Sequence, residues 1–214
     1  MCTVTWLADP AGGYALWFNR DERRTRPPGL PPAAAAAGDM PYLAPIDAEA
    51  GGTWLAVNAA GVTVGLLNHY AADAARAAEA ARDAEAAAAH DADDDGDASH
   101  GIAAARAVSA APAPTAAPSR GVLVRDLMAC PTVAAVVAAL DGGRAAAFRP
   151  FEVVALDASG DRARLTWDGR VLSLARGAEV APPVSSSGHD TASVLAARAA
   201  LYNQVVGPDA PVAA

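Results

Sequence analysis

Residues 1–22 read MCTVTWLADPAGGYALWFNRDE, and the fold turns on whether they form one antiparallel hairpin. Polar and apolar residues alternate along MCTVTWL, ADPAGG supplies turn residues, and YALWFNRDE returns as a second strand. With Leu7 opposite Tyr14, antiparallel pairing sets Cys2 opposite Asn19; a one-residue difference sets it opposite Phe18 or Arg20. In each register Asn19, Arg20 and Asp21 finish beside the start of the chain.

Working outward, GGTWLAV (51–57) and VTVGLLN (62–68) flank NAAG, a type I turn closed by a glycine able to take φ > 0, which predicts a second hairpin. VLVRDLMACPTVAAVVAAL (122–140) reads as a helix broken or restarted at Pro131, with Thr132 as a cap. FEVVALD, RARLTWD and RVLSLA follow as three strands joined by tight turns. A last helix is expected from Thr191 to about Val206, with Asp190 as N-cap and Gly207-Pro208 as its stop. Strands followed by covering helices give an α+β expectation.

Composition changes abruptly at residue 71. Residues 71–120 hold 24 alanines, and Ile102 and Val108 are their only Leu, Ile, Val or Phe. Such a stretch buries too little apolar area to offset its ordering entropy. Its first part has helix propensity and alternating charge, its second an acidic turn and a Pro/Ala linker. The expectation is one domain, 1–70 with 120–214, interrupted by a surface insertion at 71–119 with partial helix. The 71–120 stretch also carries nine acids against four arginines, so most of the net charge of −8 belongs to it. An interaction role for this acidic loop is a weaker reading.

Net acidity argues against a nucleic-acid binder, which needs cationic groups to neutralise phosphates. Two cysteines, Cys2 and Cys130, give neither a disulfide framework nor metal-ligand spacing, so no metal or other cofactor is expected. The longest strongly apolar stretch, Val133 to Leu140, is far below the roughly 18 residues that span a membrane. No leader pattern opens the chain. These features predict a cytoplasmic protein without integral membrane association; they leave the oligomeric state open.

The hairpin permits a specific chemistry. Residue 2 is small enough for Met1 to be removed, leaving Cys2 with an α-amine. That amine, with a reference pKa of about 7.7–8.0, can take the proton of its own thiol, at about 8.5. Arg20 nearby favours the thiolate. Nucleophile, base and cation then come from one hairpin. The plainer alternatives are a packing cysteine and a solvated strand end with ion pairs.

Other constellations carry less. Ser187, His189 and Asp190 have the residue types of a serine triad, but adjacent His and Asp cannot place the acid on the far ring nitrogen. Asp91, Asp93, Asp95 and Gly96 match half of a calcium loop whose twelfth position is Ile102 rather than Glu. His90 and His100 flank that tract in a solvated loop. Cys130 reads as core, and Trp6, Trp17 and Trp54 as sheet packing, with Trp54 covering Gly65 across its hairpin or bordering an acyl pocket.

Cys2 after the initiator, Asn19-Arg20-Asp21-Glu22, Arg26-Pro27, Gly51-Gly52-Thr53-Trp54-Leu55 and Asn68 together resemble the NRDE family, also called the transport and Golgi organisation 2 family. That family is similar to N-terminal nucleophile hydrolases of the penicillin V acylase and bile salt hydrolase type. The resemblance is close over 1–70 and loose over 120–206. It implies a four-layer αββα sandwich with Cys2 as nucleophile, Arg20 and Asp21 orienting it, and Asn68 helping to bind the oxyanion. Those hydrolases space the arginine and aspartate three residues apart; here they are adjacent, so Asp21 and Glu22 compete for the role. Asn19, Glu22, Trp54 and Ser186, the last within the polar segment 184–187, are the implied substrate-binding residues. For Asn68 a capping role at the strand end is the alternative, and for 184–187 a polar loop. The implied activity is hydrolysis of a non-peptide amide or related acyl bond through an acyl-Cys2 intermediate. The alternative is a non-catalytic carrier of a small hydrophobic ligand such as haem, lipid or acyl-CoA.

Overall fold

The computed structural model describes residues 2–9, 11–93, 117–188 and 191–207. Met1, Asp95, Gly96, His100, His189, Asp190 and Pro208, all invoked above, lie outside them. The class is α+β. The first hairpin forms from β1 (Cys2–Ala8) and β2 (Tyr14–Arg20). Its register differs by one residue from the Leu7–Tyr14 pairing: Ala8 faces Tyr14, Leu7 faces Ala15 and Cys2 faces Arg20. The connecting turn sets this. The Asp9 carboxylate accepts from the Ala11 N–H at 2.8 Å, while Gly12 and Gly13 take φ of 105° and 90°, a loop one residue shorter than sequence spacing suggested.

Two strands that the sequence did not announce follow, β3 (Leu30–Ala37) and β4 (Met40–Ile46). Their Pro and Ala content is poor in β propensity. The pairing accommodates it: the register shifts between Leu30 and Ala33, around Pro31 and Pro32, and β3 is an edge strand. Gly38, at φ 60°, makes the tight turn between them. The second hairpin, β5 (Leu55–Asn58) and β6 (Thr63–Asn68), closes as expected at NAAG, where Gly61 has φ 81° and Asn58 Oδ1 accepts from the N–H groups of Ala60 and Val62.

A helix, α1 (Tyr70–Asp93), is longer than the frayed piece expected, and it includes the backbone of His90, Asp91 and Asp93, so those two aspartates stand on a helix rather than a calcium loop. Its first turns are held by ion pairs, Asp73 with Arg120 and Arg149, and Glu79 with Arg170. Next come α2 (Arg120–Leu127) and α3 (Val133–Asp141), broken at Pro131, with Thr132 Oγ1 accepting from the Ala135 N–H at 3.1 Å. Strands β7 (Phe151–Leu156), β8 (Arg162–Trp167) and β9 (Leu172–Arg176) follow as read. The polar segment 184–187 contains a strand, β10 (Val184–Ser186), rather than only a loop, and α4 (Thr191–Val205) ends the described chain at Gly207, φ 73°.

The strands make two antiparallel sheets, ordered β10-β1-β2 and β3-β4-β5-β6-β7-β8-β9. Alternation along β6 serves both faces of the larger sheet. Leu66 and Val64 pack with Leu123, Leu127, Val136 and Leu140 of α2 and α3, whereas Leu67 packs with Cys2, Val4 and Trp6 of the smaller sheet. On the far side of the smaller sheet, α4 is tied down by the Tyr202 hydroxyl, which donates to the Trp6 carbonyl at 3.2 Å. Among the described residues no helix is long and apolar enough to cross a membrane.

Candidate active site

β1 is the central strand of the three-stranded sheet, so Cys2 has a neighbour on each side: Arg20 on β2 and Ser186 on β10. Directly paired residues share a face. Ser186, Cys2 and Arg20 therefore form one row on the face turned toward the larger sheet. Arg20 is held on that face by three contacts. Its Nη2 lies 2.7 Å from Asp47 Oδ2 and 3.1 Å from Glu22 Oε2, and its guanidinium carbon sits 4.3 Å from the Trp54 ring centroid.

Asp47, which sequence reasoning did not single out, organises this side of the site. Its Oδ2 accepts from both Arg20 and Arg26 at 2.7 Å, and its Oδ1 accepts from the backbone N–H groups of Glu49 and Ala50. Burial works to raise its carboxyl pKa, but the Ala50 N–H, Arg26 and the Glu49 N–H outweigh it and hold the group below its ordinary value. Arg26 Nε is 2.9 Å from Glu22 Oε2, yet its N–H makes no hydrogen bond among the described residues, so that contact is Coulombic. The one available sequence signal was an Asp followed three residues later by Ala-Gly-Gly, a turn in which a carboxylate can cap exposed N–H groups.

The opposite wall depends on two glycines. A Cβ on Gly52 would stand 2.6 Å from the Gly121 carbonyl carbon, and one on Gly121 would stand 2.8 Å from the Thr53 nitrogen. This close crossing lets the Thr53 N–H donate to the Gly121 carbonyl at 3.1 Å and brings the start of α2 beside the cysteine. Trp54 covers Gly29, where a Cβ would meet its ring at 2.5 Å; Gly65 is covered instead by Phe18. Cys2, Arg20, Glu22, Asp47, Trp54 and Asn68 thus share a cleft of about 260 Å³, with Arg120 and Arg149 at its rim. Asn68 ends β6 on the Leu66 side, and its Nδ2 donates to the Tyr70 hydroxyl at 3.0 Å.

Burial pushes the Cys2 thiol up, against the pull of the N-terminal ammonium first, then of Arg20 and of the Asp21 backbone N–H, all of which favour the thiolate; the Asp21 carboxylate adds to the upward shift. The chain that retains residue 1 therefore holds a protonated thiol at neutral pH.

Of the sequence-derived residues, Asn19 is placed outside the cleft and Asp21 at its margin. Strand alternation puts Asn19 on the outer face, paired with Thr3, and carries the Asp21 side chain there as well. Both line a groove of about 570 Å³ between the smaller sheet and α4, and Asp21 also borders, with Glu22, Asn68, Arg120 and Arg149, the groove that adjoins the cleft. Asp21 lies 3.3 Å from Arg198 Nη2, so its carboxylate engages α4 and its backbone N–H engages the thiol. Arg198 is a second residue that sequence reasoning missed. Its Nη1 donates to Thr3 Oγ1 at 2.5 Å and to the Cys2 carbonyl at 3.3 Å, fixing the start of β1 from behind. Nothing in the spacing of residues 2 and 198 foretells that contact. Ser186 is in the Cys2 row but does not line the cleft.

Residues 1–90 match the family model described as Transport and Golgi organisation 2, the family that the ordered motifs resemble. No curated protein matches the chain.

Proposed function

We propose, because residues 1–90 match the Transport and Golgi organisation 2 (NRDE) family model, that the chain is a hydrolase whose nucleophile is Cys2 after removal of Met1. The observation that carries this reading is the row in which Arg20 stands beside Cys2 at the edge of a charged cleft. The two-sheet arrangement with helices on both outer sides is read as a four-layer αββα sandwich of the N-terminal nucleophile type, one domain with residues 71–119 inserted.

In this account the Cys2 amine takes the thiol proton, and the thiolate attacks the carbonyl carbon of a small amide or related acyl substrate. Negative charge develops on the carbonyl oxygen, where the Asn68 amide is the candidate donor. Collapse breaks the C–N bond, the ammonium returns its proton to the leaving amine, and acyl-Cys2 remains. Water then attacks the thioester, the amine accepts its proton, and the acid departs with the thiol restored. Arg20 stabilises the thiolate, Asp47 and Glu22 fix Arg20, and Trp54 closes the wall. Asp21 contributes its backbone N–H, and Asn19 is outside the cleft. Two cysteines without a disulfide suit the cytoplasm.

Assay of N-acyl amino acids, penicillins and acyl thioesters tests this reading. Cys2→Ala is expected to abolish turnover and leave the unfolding midpoint within a degree or two of the parent. Turnover that survives Cys2→Ala overturns the proposal.

One observation favours a second reading. The Cys2 thiol is packed against Val4, Trp6, Leu67 and Val184, an apolar setting that suits a chain binding a small hydrophobic ligand such as haem, lipid or acyl-CoA without reacting. Saturable binding of such a ligand by a protein whose Cys2 is inert to acyl probes would select it.

A further inference from the structure

β10 is three residues long, and its two serines point in opposite directions. Ser185 turns outward and donates to Thr3 Oγ1 at 3.0 Å. Ser186 turns inward, is 4% exposed, and its Oγ has no hydrogen-bond partner among the described residues. Leaving a buried hydroxyl unpaired is unfavourable, and packing alone would select an apolar side chain such as Val184, two residues earlier on the same face. The orphaned oxygen is directly across the strand pair from Cys2.

Antiparallel partners of this kind have their Cα atoms about 4.5–5.5 Å apart, so a hydroxyl on residue 186 is within reach of the nitrogen of residue 2. As a peptide amide that nitrogen has one hydrogen. As a freed ammonium it has three, and one is available to a side-chain acceptor. We propose that Ser186 is a positioning residue for the processed N-terminus, its hydroxyl accepting a hydrogen bond from the Cys2 α-ammonium. The inference rests on the N-terminal nucleophile reading and assigns Ser186 to the amine rather than to substrate.

The step it assists is balanced within residue 2: the S–H bond breaks, an N–H bond forms, and thiolate and ammonium result. Ser186 accepts from the ammonium as Arg20 faces the thiolate, so the charge pair is held from both neighbouring strands. The charged groups facing this point are Arg20 and Asp21 at the end of β2, and Arg198 from α4 on the Cys2 carbonyl. From the larger sheet come Leu67, Val154 and Leu156, which offer no acceptor side chain.

The test uses the full-length chain released from an N-terminal fusion, so that residue 2 is a free cysteine whatever the natural processing. Cys2 alkylation by iodoacetamide is followed against pH and mapped by peptide mass to exclude Cys130. Ser186→Ala is expected to slow Cys2 alkylation at pH 7 by roughly fivefold or more and to move its pH profile upward, without lowering the unfolding midpoint. Ser186→Thr, which keeps the hydroxyl, should track the parent. A parental rate and profile in Ser186→Ala overturns the proposal, as does a stability loss with the profile unmoved, which would mark a packing role. Absence of hydrolysis of every acyl substrate, with alkylation still dependent on Ser186, overturns the hydrolase reading and leaves this inference standing.

Discussion

Arg20 stands directly opposite Cys2 on the ladder between β1 and β2, on the same face of the sheet, and reaches from there to Asp47 at 2.7 Å. The register decides which neighbour the thiol meets. One residue the other way, the asparagine would have faced the cysteine and the arginine would have pointed at α4.

Removing that cation tests its two roles together. Arg20→Gln is expected to move the pH midpoint of Cys2 alkylation upward, because the guanidinium is, after the N-terminal ammonium, the charge that favours the thiolate against burial. It also leaves Asp47 with one guanidinium instead of two and removes the stack on Trp54. The expected loss in chemical denaturation is about 2 kcal/mol.

Asp47 makes stability depend on acid pH. Its folded pKa is depressed, so its contribution is complete above the unfolded carboxyl value of about 3.9 and is lost as pH falls through the lower folded value. Asp47→Asn is expected to be less stable by about 2–4 kcal/mol at neutral pH. It should also show a flatter loss than the parent between about pH 5 and pH 2, when unfolding midpoints are compared across that range.

The glycine crossing is a steric prediction. Gly52→Ala places a methyl 2.6 Å from backbone that has no rotamer to yield, so α2 must move away from the cleft. A destabilisation of about 2–4 kcal/mol is expected. Gly142→Ala, whose nearest contact is 3.9 Å, serves as the neutral control in the same thermal melts.

The first turns of α1 are tied to the body of the fold by ion pairs. Asp73 is the shared carboxylate of Arg120 and Arg149, and Arg120 is only 15% exposed. Asp73→Ala is expected to cost about 1–3 kcal/mol by leaving Arg120 without its counter-charge. Removing residues 84–116 should leave the unfolding midpoint and any acyl turnover unchanged, in keeping with the reading of 71–119 as an insertion. A midpoint lowered by more than a few degrees in the shortened chain would refute that reading.

Elements with a clean period were legible in the sequence. β1, β2, β5 to β9 and the break between α2 and α3 at Pro131 all declare themselves by alternation, turn residues or caps. β3 and β4 did not, because their prolines and alanines have little β propensity and their pairing is set by neighbours on the sheet. β10 is too short for a period, and its strand character comes from pairing with β1, more than 180 residues earlier in the chain. In the site, Cys2 and Arg20 were readable because one hairpin carries both. Asp47 and Arg198 were not, since each acts through a partner that only the tertiary fold supplies. Trp54 covers Gly29 rather than Gly65, because β2 brings Phe18 over Gly65, which strand alternation alone does not reveal.

The central claim is that Cys2, freed of Met1, is an acyl-accepting nucleophile. Intact mass of the natively produced protein, taken before and after exposure to an activated acyl ester and mapped by peptide, tests it most directly. The account predicts a mass lacking methionine and one acyl adduct on Cys2 that decays as water releases the acid. A folded preparation that retains Met1, or a processed chain in which Cys2 takes no acyl group, would contradict it.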